Sequence, residues 1–109
     1  MSGLKVLNDN DFAAEVENAS GPVMVDFYAD WCAPCLILGP TVEEIAGQYD
    51  GRVKVFKFDV DSNPGVPQKL MIRGIPTVVF YKDGKLVETV VGLVPKEKLT
   101  GMLDSLLEE

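Results

Sequence analysis

An α/β fold, a three-layer α/β/α sandwich around a mixed central sheet, is predicted for this chain, and three observations predict it. Val23-Met24-Val25-Asp26-Phe27-Tyr28-Ala29 is apolar except at Asp26, the pattern of a strand covered by helices on both faces. Segments with apolar residues at helical spacing precede and follow it. Asp83-Gly84 separates two stretches rich in β-branched and aromatic residues, which marks a tight hairpin.

The elements follow in order. Leu4-Lys5-Val6-Leu7 is a short first strand. Asn8 or Asp9 caps a helix that turns Phe12, Val16 and Ala19 inward. Pro22 opens the central strand. Beyond Cys35, Leu38, Val42, Ile45, Ala46 and Tyr49 form one helical stripe, while Glu43, Glu44 and Gln48 face water. Pro40 lies inside that helix, where its missing N–H is expected to kink it, and Asp50-Gly51 ends it. Arg52 to Val60 forms a third strand, and Asn63-Pro64 reads as the cap and first position of a short helix. Thr77 to Lys82 and Lys85 to Val91 make the hairpin. Pro95 begins a last helix with Leu99, Met102, Leu103 and Leu106 on one face. The order is β-α-β-α-β-α-β-β-α. Right-handed crossovers make the early strands parallel, and the hairpin adds an antiparallel edge.

At 109 residues the chain is expected to be a single domain, residues 1–109, with a core large enough to fold without cross-links. Its 47% hydrophobic and 25% charged residues are an ordinary globular composition. A net charge of −7, with no basic patch, argues against nucleic acid as a partner. No apolar run approaches the roughly 20 residues of a membrane helix, so no membrane association is expected. Met1-Ser2-Gly3-Leu4-Lys5 lacks the charged and hydrophobic regions of a secretory signal. The expected compartment is the reducing cytoplasm, where a close cysteine pair is catalytic more often than structural.

Both cysteines lie in Trp31-Cys32-Ala33-Pro34-Cys35, between the central strand and the following helix. The chain has no histidine, which excludes imidazole acid–base chemistry and Ser–His or Cys–His hydrolysis. Two cysteines without a second Cys/His pair do not complete a zinc site, so no metal is expected. What remains is the chemistry of two neighbouring thiols: closing a small disulfide ring and passing it on by exchange. Cys32 falls at the helix start, where free N–H groups and the helix dipole favour a thiolate and make it the attacking sulfur. Pro34 suits the first turn. Cys35, about one turn further in, is expected to be the more buried of the two. Asp26 interrupts an apolar strand, so its carboxyl is expected to hold its proton more tightly than usual or to share a partner, with Lys57, between Phe56 and Phe58, the candidate.

Val25-Asp26-Phe27-Tyr28-Ala29-Asp30-Trp31-Cys32-Ala33-Pro34-Cys35, Pro40, Asp61-Ser62-Asn63-Pro64-Gly65, Arg73-Gly74-Ile75-Pro76-Thr77, Lys82-Asp83-Gly84 and Gly92 together resemble the thioredoxin family, at the family's spacing and over essentially the whole chain. The resemblance implies a thioredoxin-like sandwich and a protein-disulfide reductase, an electron carrier recharged by thioredoxin reductase. It needs no cofactor beyond the Cys32–Cys35 disulfide and is expected to act as a monomer on disulfide-containing target proteins. It makes Asp26 the proton acceptor for Cys35, through water, and Pro76 a cis-proline beside the cysteines. Trp31, Ala33, Pro34, Gly74, Ile75, Pro76 and Gly92 would then form a flat apolar target surface, which Leu93 enlarges, and the Gly74-Ile75 backbone would pair with an extended target peptide. The chain departs from the family's usual pattern in four places: Ala33 stands for glycine, Tyr28 for tryptophan, Leu36 for lysine, and Leu70-Met71 for Tyr-Gly. Two other readings use the same surface, a disulfide oxidant or isomerase and a binding subunit without redox turnover.

Overall fold

The computed structural model describes residues 4–109. Its strands are β1 (Lys5–Leu7), β2 (Pro22–Tyr28), β3 (Lys54–Asp59), β4 (Thr77–Lys82) and β5 (Lys85–Val91), and they form one sheet in the order β1-β3-β2-β4-β5. β3 pairs in parallel with both β1 and β2, while β4 runs antiparallel to β2 and β5 antiparallel to β4. A π-helical turn (Ala13–Glu17) and helices α1 (Ala33–Gln48), α2 (Gly65–Lys69) and α3 (Lys96–Glu108) complete the expected order.

Side chains alternate across the sheet, and each face is buried under helices. On one face Met24, Val55, Val78, Phe80 and Val90 meet Leu38, Val42 and Ile45 of α1 and Leu99, Leu103 and Leu106 of α3. On the other, Val23, Val25, Phe27, Phe56, Phe58, Val79 and Tyr81 meet Phe12 and Val16 of the π-helical turn and Val66 of α2. Coverage on both sides is why β2 reads as one apolar run: Val23, Met24, Val25 and Phe27 are fully buried, and so is Asp26.

Four details differ from the sequence reading. The first helix is a π-type turn, closed by Asn18 N–H donating to Ala13 C=O at 2.9 Å. Phe12 and Val16 are buried as expected, and a four-residue spacing does not distinguish an α turn from a wider one. β3 begins at Lys54, because the amides of Arg52 and Val53 both donate to Tyr49 C=O and complete the end of α1. Asn8 caps the turn after it, its side chain accepting from Asn10 N (2.8 Å) and Asp11 N (2.9 Å). Asp9 instead caps α2 across the fold, accepting from Gly65 N (2.9 Å) and Val66 N (2.7 Å), while the side chain of Asn63, the residue expected to cap α2, accepts from Asp9 N. Glycine at Gly65 leaves room for that approach, since an added Cβ would meet the Asp9 carboxylate at 2.9 Å and push it aside.

The hairpin turn forms as predicted: Asp83 (φ 51°) and Gly84 (φ 82°) both take the left-handed conformation that a two-residue hairpin loop demands. α1 continues through Pro40 to Gln48. No helix among the described residues is long and apolar enough to cross a membrane.

Candidate active site

Cys32 leaves the loop after β2 with an extended backbone (φ −90°, ψ 109°) and is the N-cap of α1; Pro34 occupies the first turn, where its missing N–H costs nothing. Cys32 and Cys35 are joined as a disulfide with Cα atoms 5.2 Å apart. The Cys35 amide donates to Cys32 Sγ at 3.2 Å, so the cap that opens the helix is the sulfur itself. A negative charge on that sulfur meets both an N–H and the positive end of the helix dipole.

The expected difference in burial between the two cysteines is absent in this oxidised form. Cys32 is 4% exposed and Cys35 3%. The disulfide ties Cys32 back against the helix, the Ile75 carbonyl oxygen lies 3.8 Å from its sulfur, and Ala29, Tyr28, Val60 and Ile75 pack around the pair.

Asp26 lies on the α1-facing side of β2, two residues before Tyr28. It is fully buried, and neither carboxyl oxygen has a hydrogen-bond partner among the described residues. Burial pushes its pKa up to about 6, against the opposing pull of the Lys57 ammonium. Lys57 is in register with Asp26 across the β2–β3 pair, but its Nζ lies over the Tyr28 ring, 4.4 Å from the centroid. The partner expected from the sequence therefore acts on Asp26 as a nearby charge, while its cation rests on an aromatic face. Tyr28 is raised in turn by burial and by Asp59, Asp30 and Asp26.

The second loop of the site precedes β4. Ile75–Pro76 is a cis peptide bond, and Pro76 is buried, with its carbonyl accepting from Gly92 N at 2.8 Å. Gly92 takes φ 96°, a conformation glycine adopts without penalty. The Gly74 carbonyl accepts from Thr77 Oγ1 at 2.5 Å. The backbone expected to be free at Gly74–Ile75 is thus already partly engaged.

Around the disulfide, Trp31 is 70% exposed, and Ala33 and Pro34 are exposed beside it. Leu93 also faces solvent, 48% exposed. The Trp31 indole does not swing freely, because Nε1 donates to Asp61 Oδ2 at 2.6 Å. A shallow groove of about 170 Å³ runs from Trp31 past Val60, Pro67 and Ile72 to Arg73, Gly74 and Ile75, with Arg73 the one charged residue in its lining. The structure thus gathers Trp31, Ala33, Pro34, Gly74, Ile75, Pro76 and Gly92 at the carboxyl end of β2, with Asp26 beneath and Lys57 one strand away. A larger hollow, about 740 Å³, lies at the other end of the parallel strands, lined by Lys5, Pro22, Glu43, Arg52 and Lys54.

Sequence reasoning gave no site role to Asp61, Val60 or Thr77, although Asp61 and Thr77 stand in the motifs that carry the resemblance. One signal was available: in a parallel pair the carboxyl ends of β2 and β3 emerge together, Tyr28 beside Asp59, so the residues after each strand meet.

This arrangement can open its own disulfide onto a sulfur of another molecule, or close it again, which is the chemistry of a thiol–disulfide oxidoreductase. Comparison with known proteins supplies the family. The thioredoxin family model matches residues 3–105. The chain is 48% identical to the thioredoxin of Acidithiobacillus ferridurans, over 93% of this chain and 94% of that one. It is 49% identical to thioredoxin 1 of Synechococcus elongatus, over 95% and 97%, and 41% identical to the thioredoxin of Pseudomonas aeruginosa, over 91% and 92%. The chain belongs to the thioredoxin family. It is a protein-disulfide reductase whose redox group is its own Cys32–Cys35 disulfide.

Proposed function

We propose that the chain works as one domain, residues 1–109, a monomeric electron carrier of the cytoplasm that reduces disulfides in target proteins and is recharged by a thioredoxin reductase. The observation that carries the division of labour is Cys32 at the N-cap of α1, its sulfur accepting from the Cys35 amide. In the reduced protein Cys32 thiolate attacks one sulfur of the target disulfide. A Cys32–target bond forms, and the other target sulfur leaves as thiolate. Cys35 then gives up its proton, attacks Cys32 Sγ and expels the second target sulfur. Two electrons have passed to the target, and the Cys32–Cys35 bond has re-formed.

Asp26 receives the Cys35 proton through water. A buried carboxyl with a pKa of about 6 is poised to exchange a proton near neutral pH, as a general base must. Lys57 assists by steadying the carboxylate once it is charged. The target lies over Trp31, Ala33, Pro34, Gly74, Ile75, Pro76 and Gly92: the first four are exposed, Ile75 and Gly92 are half-buried and Pro76 is buried between them, a mostly apolar surface around the two sulfurs.

Replacing each cysteine tests the roles. Cys32→Ser is expected to abolish reduction of protein disulfides. Cys35→Ser is expected to keep attack and lose resolution, accumulating mixed disulfides through Cys32 that mass spectrometry identifies. Mixed disulfides absent from Cys35→Ser, or formed through Cys35 in Cys32→Ser at an equal rate, refute the assignment. A native chain that turns over no protein disulfide would be a binding subunit, and turnover retained in Cys32→Ser would refute Cys32 as the attacking sulfur.

A further inference from the structure

The outer face of α1 changes character along its length. Ala33, Leu36, Ile37 and Pro40 share one side of the helix by their spacing, and all four are exposed, Leu36 and Ile37 each by 62%. The opposite side, Cys35, Leu38, Val42 and Ile45, is buried. One turn beyond Pro40 the outer face becomes ordinary: Glu44 is exposed and its carboxylate lies 3.2 Å from Lys96 Nζ. From Trp31 to Val42 there is no charged residue, in a chain whose net charge is −7. Helix formation does not ask for leucine and isoleucine at two solvent-facing positions.

We propose that Leu36 and Ile37 are specificity-determining residues that extend the target surface along α1 and select disulfide proteins whose surface beside the cysteine is apolar and uncharged. This rests on the redox reading above. The occupant follows from the reaction. A target sulfur must come into bonding contact with Cys32, which sits at the N-cap of α1 with Ala33, Leu36 and Ile37 exposed just beyond it, so a globular target packs against this end of the helix. A specific protein contact covers about 800 Å² on each side, a disc about 16 Å in radius. Ala33 to Pro40 spans about 10 Å along the helix axis, so a globular target seated on Cys32 overlies Leu36 and Ile37. Side chains at those positions are either desolvated against apolar surface, which is favourable, or set against polar groups left without water, which is not. The selection therefore acts in both directions.

The test uses disulfide-linked dimers of a synthetic peptide of about 15 residues in two versions, the single cysteine flanked by leucines or by glutamines, with glutathione disulfide as a substrate too small to reach the helix. The native chain is expected to favour the leucine peptide in kcat/KM. The double variant Leu36→Gln/Ile37→Gln is expected to lose that preference, with about a fivefold fall on the leucine peptide, the ordinary size for removing an apolar contact at an interface. Reduction of glutathione disulfide should be unchanged. Both residues are exposed, so the denaturation midpoint reports any unintended loss of folding, and Leu86→Gln, at an exposed position on β5, serves as the control. A native chain without preference, a variant that keeps it, or an equal fall on glutathione disulfide overturns the proposal. A native chain that reduces none of the three refutes the redox reading itself.

Discussion

On the face of the sheet covered by the π-helical turn and α2, the rings of Phe12, Phe27, Phe58 and Tyr81 sit with centroids 4.9 to 6.2 Å apart, in tilted and edge-on arrangements. Among the described residues no charged side chain is buried with them. On the face covered by α1 and α3 the filling is mostly aliphatic, and Asp26 sits in it with no hydrogen-bond partner. Both faces are lined by buried side chains, yet only one carries a group that is costly to bury. The costly group lies under the helix whose first turn holds the disulfide. Packing alone explains the aromatic face, whereas the other gives up stability for a carboxyl whose proton is available near neutral pH.

The comparison breaks most visibly at Phe27. Phe27→Ala removes a fully buried ring that packs on Phe12 and Phe58 and should cost about 3–5 kcal/mol, read from denaturant midpoints. The fraction still folded should reduce disulfides at the native rate, because no reacting group has moved. A folded Phe27→Ala with impaired chemistry would show that the two faces are coupled.

The opposite sign is expected at Asp26. Its folded pKa of about 6 lies above the unfolded value near 3.9, so the folded state binds the proton more tightly. This stabilisation is fully present below pH 3.9, falls as the pH rises toward 6 and levels off above it, by about 3 kcal/mol in all. Asp26→Ala and Asp26→Asn should therefore be more stable than the native chain at pH 7, by about 1–3 kcal/mol, and should lack that slope between pH 4 and 6. The same variants should resolve mixed disulfides more slowly. An Asp26→Asn that is destabilised and fully active would make Asp26 an ordinary structural carboxylate.

A smaller effect is expected at the rim. Asp61→Ala releases the Trp31 indole and should raise KM for protein disulfides by a few-fold, about the net worth of one solvent-exposed hydrogen bond spent on positioning, with kcat for small disulfides unchanged. Trp31 is the only tryptophan, so its emission reports the release directly. Unaltered emission in Asp61→Ala would show that the bond does not hold the ring. The smallest effect is expected at Ala33, where Ala33→Gly frees the backbone without touching a reacting atom. Turnover should stay within about tenfold, or 1.4 kcal/mol.

Much of this molecule was legible along the chain because it rests on local rules. The apolar run of β2, the Asp83-Gly84 turn, the helical stripes and the Cys-x-x-Cys spacing are properties of neighbouring residues, and the parallel sense of the early strands followed from crossover handedness. Asp26 stood out for the same reason: a charge in an apolar run is visible without coordinates. What the sequence could not decide are relations set by three-dimensional proximity. Asp9 caps a helix more than fifty residues away rather than its own, since a carboxylate cannot reveal in advance which free amides the fold will bring to it. Lys57 shares a register with Asp26, yet its cation settles on the Tyr28 ring, a choice between two partners that only side-chain geometry makes. The near-equal burial of Cys32 and Cys35 in the disulfide form was not readable from their positions along the helix. Sequence determined which groups are present and which elements carry them. The tertiary structure decided which of them meet, because contact energies act over a few ångströms, and distance along the chain says nothing about them once it folds.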